Sequence, residues 1–395
     1  MEKNRIRHFL ERMTGTGKQK DIAIELLRIY ACMLVLFAHI QISYLVDDAV
    51  NKSALVIKCL IGDNVPIFLL ILGFYMFTAV QGEDRMEKIP GTFVHKLKGF
   101  LIRIYIPTLI VTLIACVASD FIYRQKTLTQ LFQAPSFHWE YLSNYVLLQD
   151  PTDMVGQFWY IVVYIKILLF FPLLALICVD QKAYNRIRRT YMALAFLSMV
   201  LADASYLTNL SLLTIKEYVF DEHFLYVLLG YEMALFFQKC QWKRALQIAF
   251  SAGIFLAGVA LRYGLTYYAF GIFGVGNSDH FMVLECAPAY ISSAGSLMLF
   301  YAVFHGLHNR LIQYVGGITF YVYMLHGMML RYFGSTGDQI CTRLNNGSTG
   351  AEAVFYYLEY GLVLFVTSLI AGVLLKTLYD LVCRGVGRLV KIREK

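Results

Sequence analysis

Charged residues are scarce in this sequence. They make up 16% of its 395 residues, whereas 58% are hydrophobic and the mean hydropathy is +0.57. A soluble domain usually carries about a quarter charged residues, and so few are too few to cover a water-exposed surface. Polar linkers are also lacking, because apolar runs recur from one end of the chain to the other. The composition therefore excludes a soluble multidomain protein and indicates one membrane domain.

Several chemical signatures are missing as well. The eight cysteines form no CxxC pair, and no histidines and cysteines have the spacing of a metal site. The sequence contains no internal repeat and no glycine-rich phosphate loop. Its basic first 20 residues precede an apolar stretch without a small-residue cleavage site, so we expect no cleavable signal. We expect no metal, and we attribute the net charge of +8 to membrane topology and anionic lipids rather than to nucleic acid.

Long apolar segments are what the chain does have. Each is near the ~20 residues that a helix needs to cross a bilayer. They predict an all-α fold, a polytopic membrane helical bundle of about ten transmembrane helices. The segments are 22–46, 54–80, 99–120, 156–178, 190–207, 220–238, 245–265, 287–305, 314–333 and 353–378.

The segments between these helices alternate in charge. Most of the 35 lysines and arginines lie before residue 21, in 85–103, in 182–189, in 239–244 and after 375, and the alternate segments are acidic. The positive-inside rule then predicts that both termini are cytoplasmic. We expect the protein to lie in the plasma membrane. We predict a basic arm over 1–20, a membrane domain over 21–380 and a basic tail over 381–395. The longest outer segment, 121–156, is either an interfacial loop or a lid, and its Glu140 is a candidate substrate contact.

Polar residues at membrane depth are costly and are therefore candidates for function. The first predicted helix carries Arg28 and His39, eleven residues apart. Eleven residues turn a helix to within about 20° of three full turns and rise about 16 Å, so both side chains lie on one face. Either residue alone is also typical of a membrane anchor or of a hydrogen-bonded histidine in a bundle. Their shared face favours a functional pair, with Arg28 near the cytoplasmic end and His39 in the outer half.

The ninth predicted helix carries His326 at a depth similar to that of His39. Tyr323 precedes it by three residues and lies on the same helical face. Two histidines at matching depth suit proton transfer, because imidazole titrates near neutral pH. A histidine satisfied within the bundle by Tyr323 is an equal alternative.

Other cations have two interpretations each. Lys166 lies inside the fourth helix, where a lysine must be paired, neutral or facing water. Lys96, Lys98 and Arg103 cluster at the start of the third helix; they form either a solvated anchor or a phosphate clamp. Asp63, before the second helix, is predicted to be a helix cap.

These motifs resemble the acyltransferase 3 family of integral membrane acyltransferases. The resemblance rests on five motifs in order: Arg28 with His39; Pro66, Phe68, Gly73, Phe74 and Tyr75; Lys98, Arg103 and Pro107; Trp159, Tyr160, Pro172 and Leu173; and Thr319, Phe320, Tyr323 and His326. The chain departs from the family pattern at Leu72 and Gln157, where the family often has serine and histidine, and its third-helix arginine pair is reduced to Lys98 and Arg103.

The resemblance implies transfer of an acyl group, most often acetyl, from a cytoplasmic coenzyme A thioester to a cell-surface glycan or lipid-linked sugar. Arg28, His39 and His326 are then the candidate catalytic residues, with His39 as general base or as nucleophile. The candidate donor-binding residues are Lys96, Lys98, Arg103 and Lys166. Tyr323, Trp159 and Glu140 are the candidate substrate contacts.

Two other classes of protein use similar residues. A transporter or glycan exporter also lines its path with intramembrane histidine, lysine and arginine, although this chain lacks the internal repeat and the broken helix pairs typical of many transporters. A membrane sensor or scaffold is the third possibility. Proteins of that class usually carry a soluble domain, and we expect none in this sequence.

Overall fold

The computed structural model is almost entirely helical. It describes residues 21–40, 45–46, 49–77, 85–118, 127, 130, 146, 158–179, 181–208, 221–273, 280–333 and 351–393. The helices are α1 (Ile22–Ala38), α2 (Lys52–Ile61), α3 (Asn64–Met76), α4 (Arg85–Phe100), α5 (Ile106–Ala118), α6 (Trp159–Leu169), α7 (Phe171–Ile177), α8 (Lys182–Thr208), α9 (Glu222–Lys239), α10 (Arg244–Phe273), α11 (Ala287–Phe304), α12 (Arg310–Tyr332) and α13 (Ala351–Arg393). A π-helical turn (Leu101–Tyr105) joins α4 to α5, and the two-residue strands β1 (Leu45–Val46) and β2 (Ala49–Val50) pair antiparallel.

Each of the ten predicted apolar segments falls on a helix or on a pair of helices. Within the described residues, six helical stretches are long and apolar enough to cross a membrane. A seventh is added if α6 and α7, which meet at a 59° bend, form one span. The multi-pass helical class is confirmed, whereas the predicted count of about ten and the side of the membrane occupied by each terminus stay predictions.

The outward faces of these helices are apolar. On α10 and α13, large side chains such as Leu246, Leu256, Ile370 and Leu374 are more than half exposed. A water-soluble protein avoids contiguous apolar surface of this kind, whereas a helix that faces lipid requires it. Helices can face lipid because all of their backbone groups are hydrogen-bonded internally.

Helix α1 lies at the centre of the bundle, where its side chains join two buried clusters. One cluster packs α1 with α2, α5, α6, α12 and α13, and the other packs α1 with α3, α7, α9 and α11. Glycines permit the closest approach, as at Gly73 and Gly230, where an added Cβ would come within 1.8 Å and 2.1 Å of a backbone oxygen of the facing helix. Small residues at helix contacts are the usual means of close packing in membranes.

Asp63 does not cap α3, so that sequence prediction is wrong. Its side chain makes no cap hydrogen bond. Instead its Oδ1 atom accepts hydrogen bonds from Arg262 of α10 at 2.6 Å and from Ser292 of α11 at 2.7 Å. A buried carboxylate needs a cationic partner more than an exposed helix end needs a cap, and the arginine is 199 residues away in sequence.

Candidate active site

The two histidines lie side by side because α1 and α12 run in the same direction. Near the start of both helices Glu25 lies against Gly316, where an added Cβ would be 2.2 Å from the carboxylate Oε2. Further along, the Cys32 thiol contacts the Thr319 carbonyl oxygen at 3.6 Å. At the far end the rings of His39 and His326 are 5.0 Å apart between centroids. The structure thus places them at one depth, as their sequence positions predicted.

The surroundings of the two imidazoles differ. His326 is 1% exposed, whereas His39 terminates α1 and is exposed. The Nδ1 atom of His326 hydrogen-bonds the Tyr323 carbonyl oxygen. A carbonyl can only accept, so Nδ1 carries the proton and a neutral ring leaves a lone pair on Nε2. Among the described residues this Nε2 has no hydrogen-bond partner, and the atom is buried.

Aromatic rings connect the histidine pair to the interior of the bundle. The Tyr323 ring centroid lies 5.6 Å from that of His326 and 6.1 Å from that of Tyr160 on α6. Tyr160 in turn lies 6.0 Å from Phe68 on α3. Both Tyr160 and Phe68 line a cavity, so a continuous file of rings leads from that cavity to His326.

The cavity is rich in positive charge. It has a volume of about 510 Å³ and lies among α1, α3, α6, α12 and the α4–α5 junction. Three cations, Arg28, Lys96 and Arg103, line it. Five aromatic side chains complete much of the wall: Phe68, Tyr75, Tyr160, Tyr164 and Phe320. Such a mixture of cations and aromatic rings suits a ligand that carries phosphate groups on an otherwise organic body.

Glu25 holds Arg28 in place through one of the three guanidinium nitrogens. Its Nη1 atom donates to both carboxylate oxygens of Glu25, at 2.7 Å and 2.9 Å. Glu25 is 1% exposed, whereas the Arg28 side chain is 24% exposed. The other two guanidinium nitrogens have no acceptor among the described residues, and Arg28 lines the cavity. Glu25 therefore fixes the arginine without using up its capacity to bind an anion.

The π-helical turn positions the third cation. Arg103 lies within Leu101–Tyr105, and this wide turn frees backbone carbonyls from the regular helical pattern. The Tyr379 hydroxyl on α13 donates to the Ile102 carbonyl oxygen, and the Thr108 hydroxyl donates to the Ile104 carbonyl oxygen at 2.7 Å. Turns of this type occur often at functional sites, and here one sits on the cavity wall.

Three of the predicted site residues lie elsewhere, and a fourth cannot be placed. Lys98 is exposed and does not line the cavity. Trp159 is 43% exposed and contacts Tyr160 edge-on at 6.4 Å. Lys166 does not line the cavity either, because it forms an ion pair with Asp221 at 2.5 Å and lies 3.2 Å from His223. Glu140 lies outside the described residues.

Sequence reasoning missed two residues of this region. Glu25, the partner of Arg28, precedes it by three positions in an otherwise apolar run, and that spacing is the signal for an ion pair within one helix. Tyr160 was noted only as part of a family motif. Its place between the cavity and Tyr323 depends on the packing of α6 against α12, which no local pattern specifies.

The fold and this site define a class of protein. It is a multi-pass helical bundle in which a cation-lined cavity and a histidine pair are joined by aromatic rings. The chain belongs to the acyltransferase family whose model, described as an acyltransferase domain, matches residues 21–377. That match confirms the family predicted from the sequence, and the protein is a multi-pass membrane acyltransferase. Comparison with curated proteins and with solved structures gave no match.

Proposed function

We propose that this acyltransferase moves a short acyl group, acetyl in the first instance, from acyl-coenzyme A to a hydroxyl of a cell-surface glycan or lipid-linked sugar. One observation carries the proposal: the cation-lined cavity and the histidine pair belong to a single core, joined by Tyr160 and Tyr323. The cavity suits the polyanionic donor, and the histidines suit activation of a hydroxyl.

The donor enters at Arg28. Arginine gives two-point hydrogen bonds to phosphate, and Lys96 and Arg103 add point charges to the same cavity. By the positive-inside rule, the end of the bundle at which α1 begins faces the cytoplasm, where acyl-coenzyme A is found. From Arg28 to His39 the helix rises about 16 Å, a distance that the long pantetheine arm is suited to cover.

The transfer step takes place at the histidine pair. His39 accepts the proton of the acceptor hydroxyl, whose oxygen then attacks the thioester carbonyl carbon. The carbon–sulfur bond breaks, an ester bond forms, and the proton goes to the departing thiolate. In an alternative route the His39 ring nitrogen attacks the thioester, the carbon–sulfur bond breaks and the coenzyme A thiol leaves with a proton; the hydroxyl then takes the acyl group from His39 and the free imidazole is restored. In both routes the Nε2 lone pair of His326 accepts a hydrogen bond that orients the acceptor, and Tyr323 holds that ring in position.

The test is thiol release from acetyl-coenzyme A by the protein purified in detergent, with crude membrane glycolipid as acceptor. Replacing His39 with alanine is expected to lower release by at least about 100-fold, the lower range for loss of a general base. His308→Ala is the matched control, because His308 is exposed and has no role in this site. If His39→Ala, His308→Ala and the wild-type protein all released thiol at the same rate, His39 would not be the base.

A further inference from the structure

A second basic cavity lies at the start of α8, apart from the donor cavity. Two adjoining hollows of about 640 Å³ and 600 Å³ share Asn185 and Arg189 on their walls. One is also lined by Lys182 and Arg186, and the other by Lys239. Five cationic residues, counting the buried Arg188, thus line one open recess, which nothing in the proposed acyl transfer uses.

The positive charge of this recess is not cancelled by its acidic residue. Glu232 forms an ion pair with Arg188, which is fully buried. Arg188 donates two hydrogen bonds to the Glu232 Oε1 atom, at 2.8 Å and 2.5 Å. Arg188 also donates to the Ile177 carbonyl oxygen at 2.9 Å. Of the five cations that line the recess, only Arg188 and Arg189 have a carboxylate partner among the described residues, and the contact of Arg189 with Glu232 is 3.4 Å long.

Packed aromatic rings separate the two cavities. Lys96 of the donor cavity lies over the Phe171 ring at 5.5 Å, and Phe171 stacks on Phe77 at 5.9 Å. Phe77 meets Tyr231 edge-on at 5.4 Å, and Arg188 lies over the Tyr231 ring at 5.0 Å. No residue lines both cavities. A ligand in the recess is therefore distinct from the acyl donor.

The rim of the recess carries an exposed tryptophan. Trp242 lines it, is 44% exposed, and packs edge-on against Phe236 and Phe250. Exposed tryptophan is typical of the boundary between headgroups and hydrocarbon. Beyond the recess, α8 carries an exposed apolar face that includes Ile187, Leu194 and Leu197. An occupant with a phosphate in the recess can thus lay hydrocarbon along that face.

We propose that this recess binds the phosphate headgroup of an anionic phospholipid, with the lipid's acyl chains lying along α8. Basic pockets between transmembrane helices are known sites for anionic headgroups. A loose attraction between basic loops and the membrane surface needs no cavity, whereas here the cations line two adjoining open hollows. The site is independent of the proposed acyl transfer.

The experiment measures retention of phosphatidylglycerol, with phosphatidylcholine as comparison, by native mass spectrometry of the detergent-purified protein. The variant Arg186→Gln/Lys239→Gln removes two charges from the recess. The variant Lys243→Gln/Arg310→Gln removes one lysine and one arginine that are exposed and line neither cavity. Thr190→Trp fills the recess from an exposed position without changing any charge.

Wild-type protein and the Lys243/Arg310 variant are expected to retain phosphatidylglycerol in preference to phosphatidylcholine. The Arg186/Lys239 variant is expected to bind it on the order of tenfold more weakly, as loss of two headgroup contacts predicts, and Thr190→Trp is expected to weaken it too. Equal losses in both double variants would mean a diffuse charge effect and overturn the site. Displacement of the lipid by an equal concentration of inorganic phosphate would make free phosphate the ligand and overturn the lipid assignment.

Discussion

Two arginines lie among the apolar helices of this protein, and their surroundings are opposite. Arg28 uses one guanidinium nitrogen to bind Glu25 and lines a cavity. Arg262 is fully buried and ties three helices together through Asp63, Ser292 and the Cys59 carbonyl oxygen at 2.7 Å. Neither Arg262 nor Asp63 lines any of the cavities described above.

The comparison shows what separates a functional intramembrane charge from a structural one. Burial alone does not, because both arginines are costly in hydrocarbon. The difference is spare hydrogen-bonding capacity beside an open volume, which Arg28 has. Arg262 also leaves its Nε atom without a partner among the described residues, but that atom is buried and the residue lines none of the cavities described above, so its charge can act only on the fold. Variants that remove each type of charge should therefore affect different properties of the protein.

The largest effect is expected at Arg262. Replacing it with methionine leaves the Asp63 carboxylate buried without its cation, and breaking a buried pair from one side typically costs about 3–5 kcal/mol. We expect a marked fall in the thermal unfolding temperature in detergent and a lower folded yield. The measurement is a fluorescence-detected unfolding curve of the purified variant.

The matched double variant separates charge from packing. Arg262→Met/Asp63→Asn removes both charges, and it should be more stable than Arg262→Met because no unpaired carboxylate remains. A double variant no more stable than the single one would mean that the arginine acts through its volume. The contrast with Arg28 would then rest on shape rather than on ion pairing.

The next effect separates two lysines only two residues apart. Lys96 lines the donor cavity and Lys98 does not. Lys96→Gln is expected to raise the KM for acyl-coenzyme A about tenfold, because a hydrogen bond to a charged group contributes about 1.5–3 kcal/mol. Lys98→Gln should leave the KM within about twofold, since an exposed charge is screened by solvent and salt. Equal increases in both variants would indicate a general attraction of the donor to the basic surface.

The sequence predicted the helices and the histidine pair because both follow from local rules. Apolar length marks a helix in lipid, and the helical repeat puts Arg28 and His39 on one face. It did not separate Lys96 from Lys98. Two residues are about 200° apart around a helix, but the side that faces the cavity is decided by the packing of α4 and the π-helical turn against α6 and α7.

The sequence also failed to predict ion-pair partners that are far away along the chain. Asp63 was predicted to be a helix cap because its partner Arg262 is far away in sequence, and no residue near Asp63 indicates an ion pair. Lys166 was assigned to the donor for the same reason: its partner Asp221 is 55 residues away. A charged residue in an apolar run signals that a partner exists. Whether the partner is a ligand or another side chain is settled only by the tertiary structure.

The smallest effect is expected at Lys166, which tests the boundary of the donor site. Its ion pair with Asp221 is partly exposed, with 36% and 29% of the two side chains accessible. Pairs of this kind contribute about 0–1 kcal/mol, so Lys166→Gln should lower stability only slightly and leave the KM for acyl-coenzyme A unchanged. Asp221→Asn is the control for the pair, although Asp221 also caps α9. If Lys166→Gln raised the KM as much as Lys96→Gln, the donor would extend along α6 past the cavity, and the ion pair would have to open to admit it.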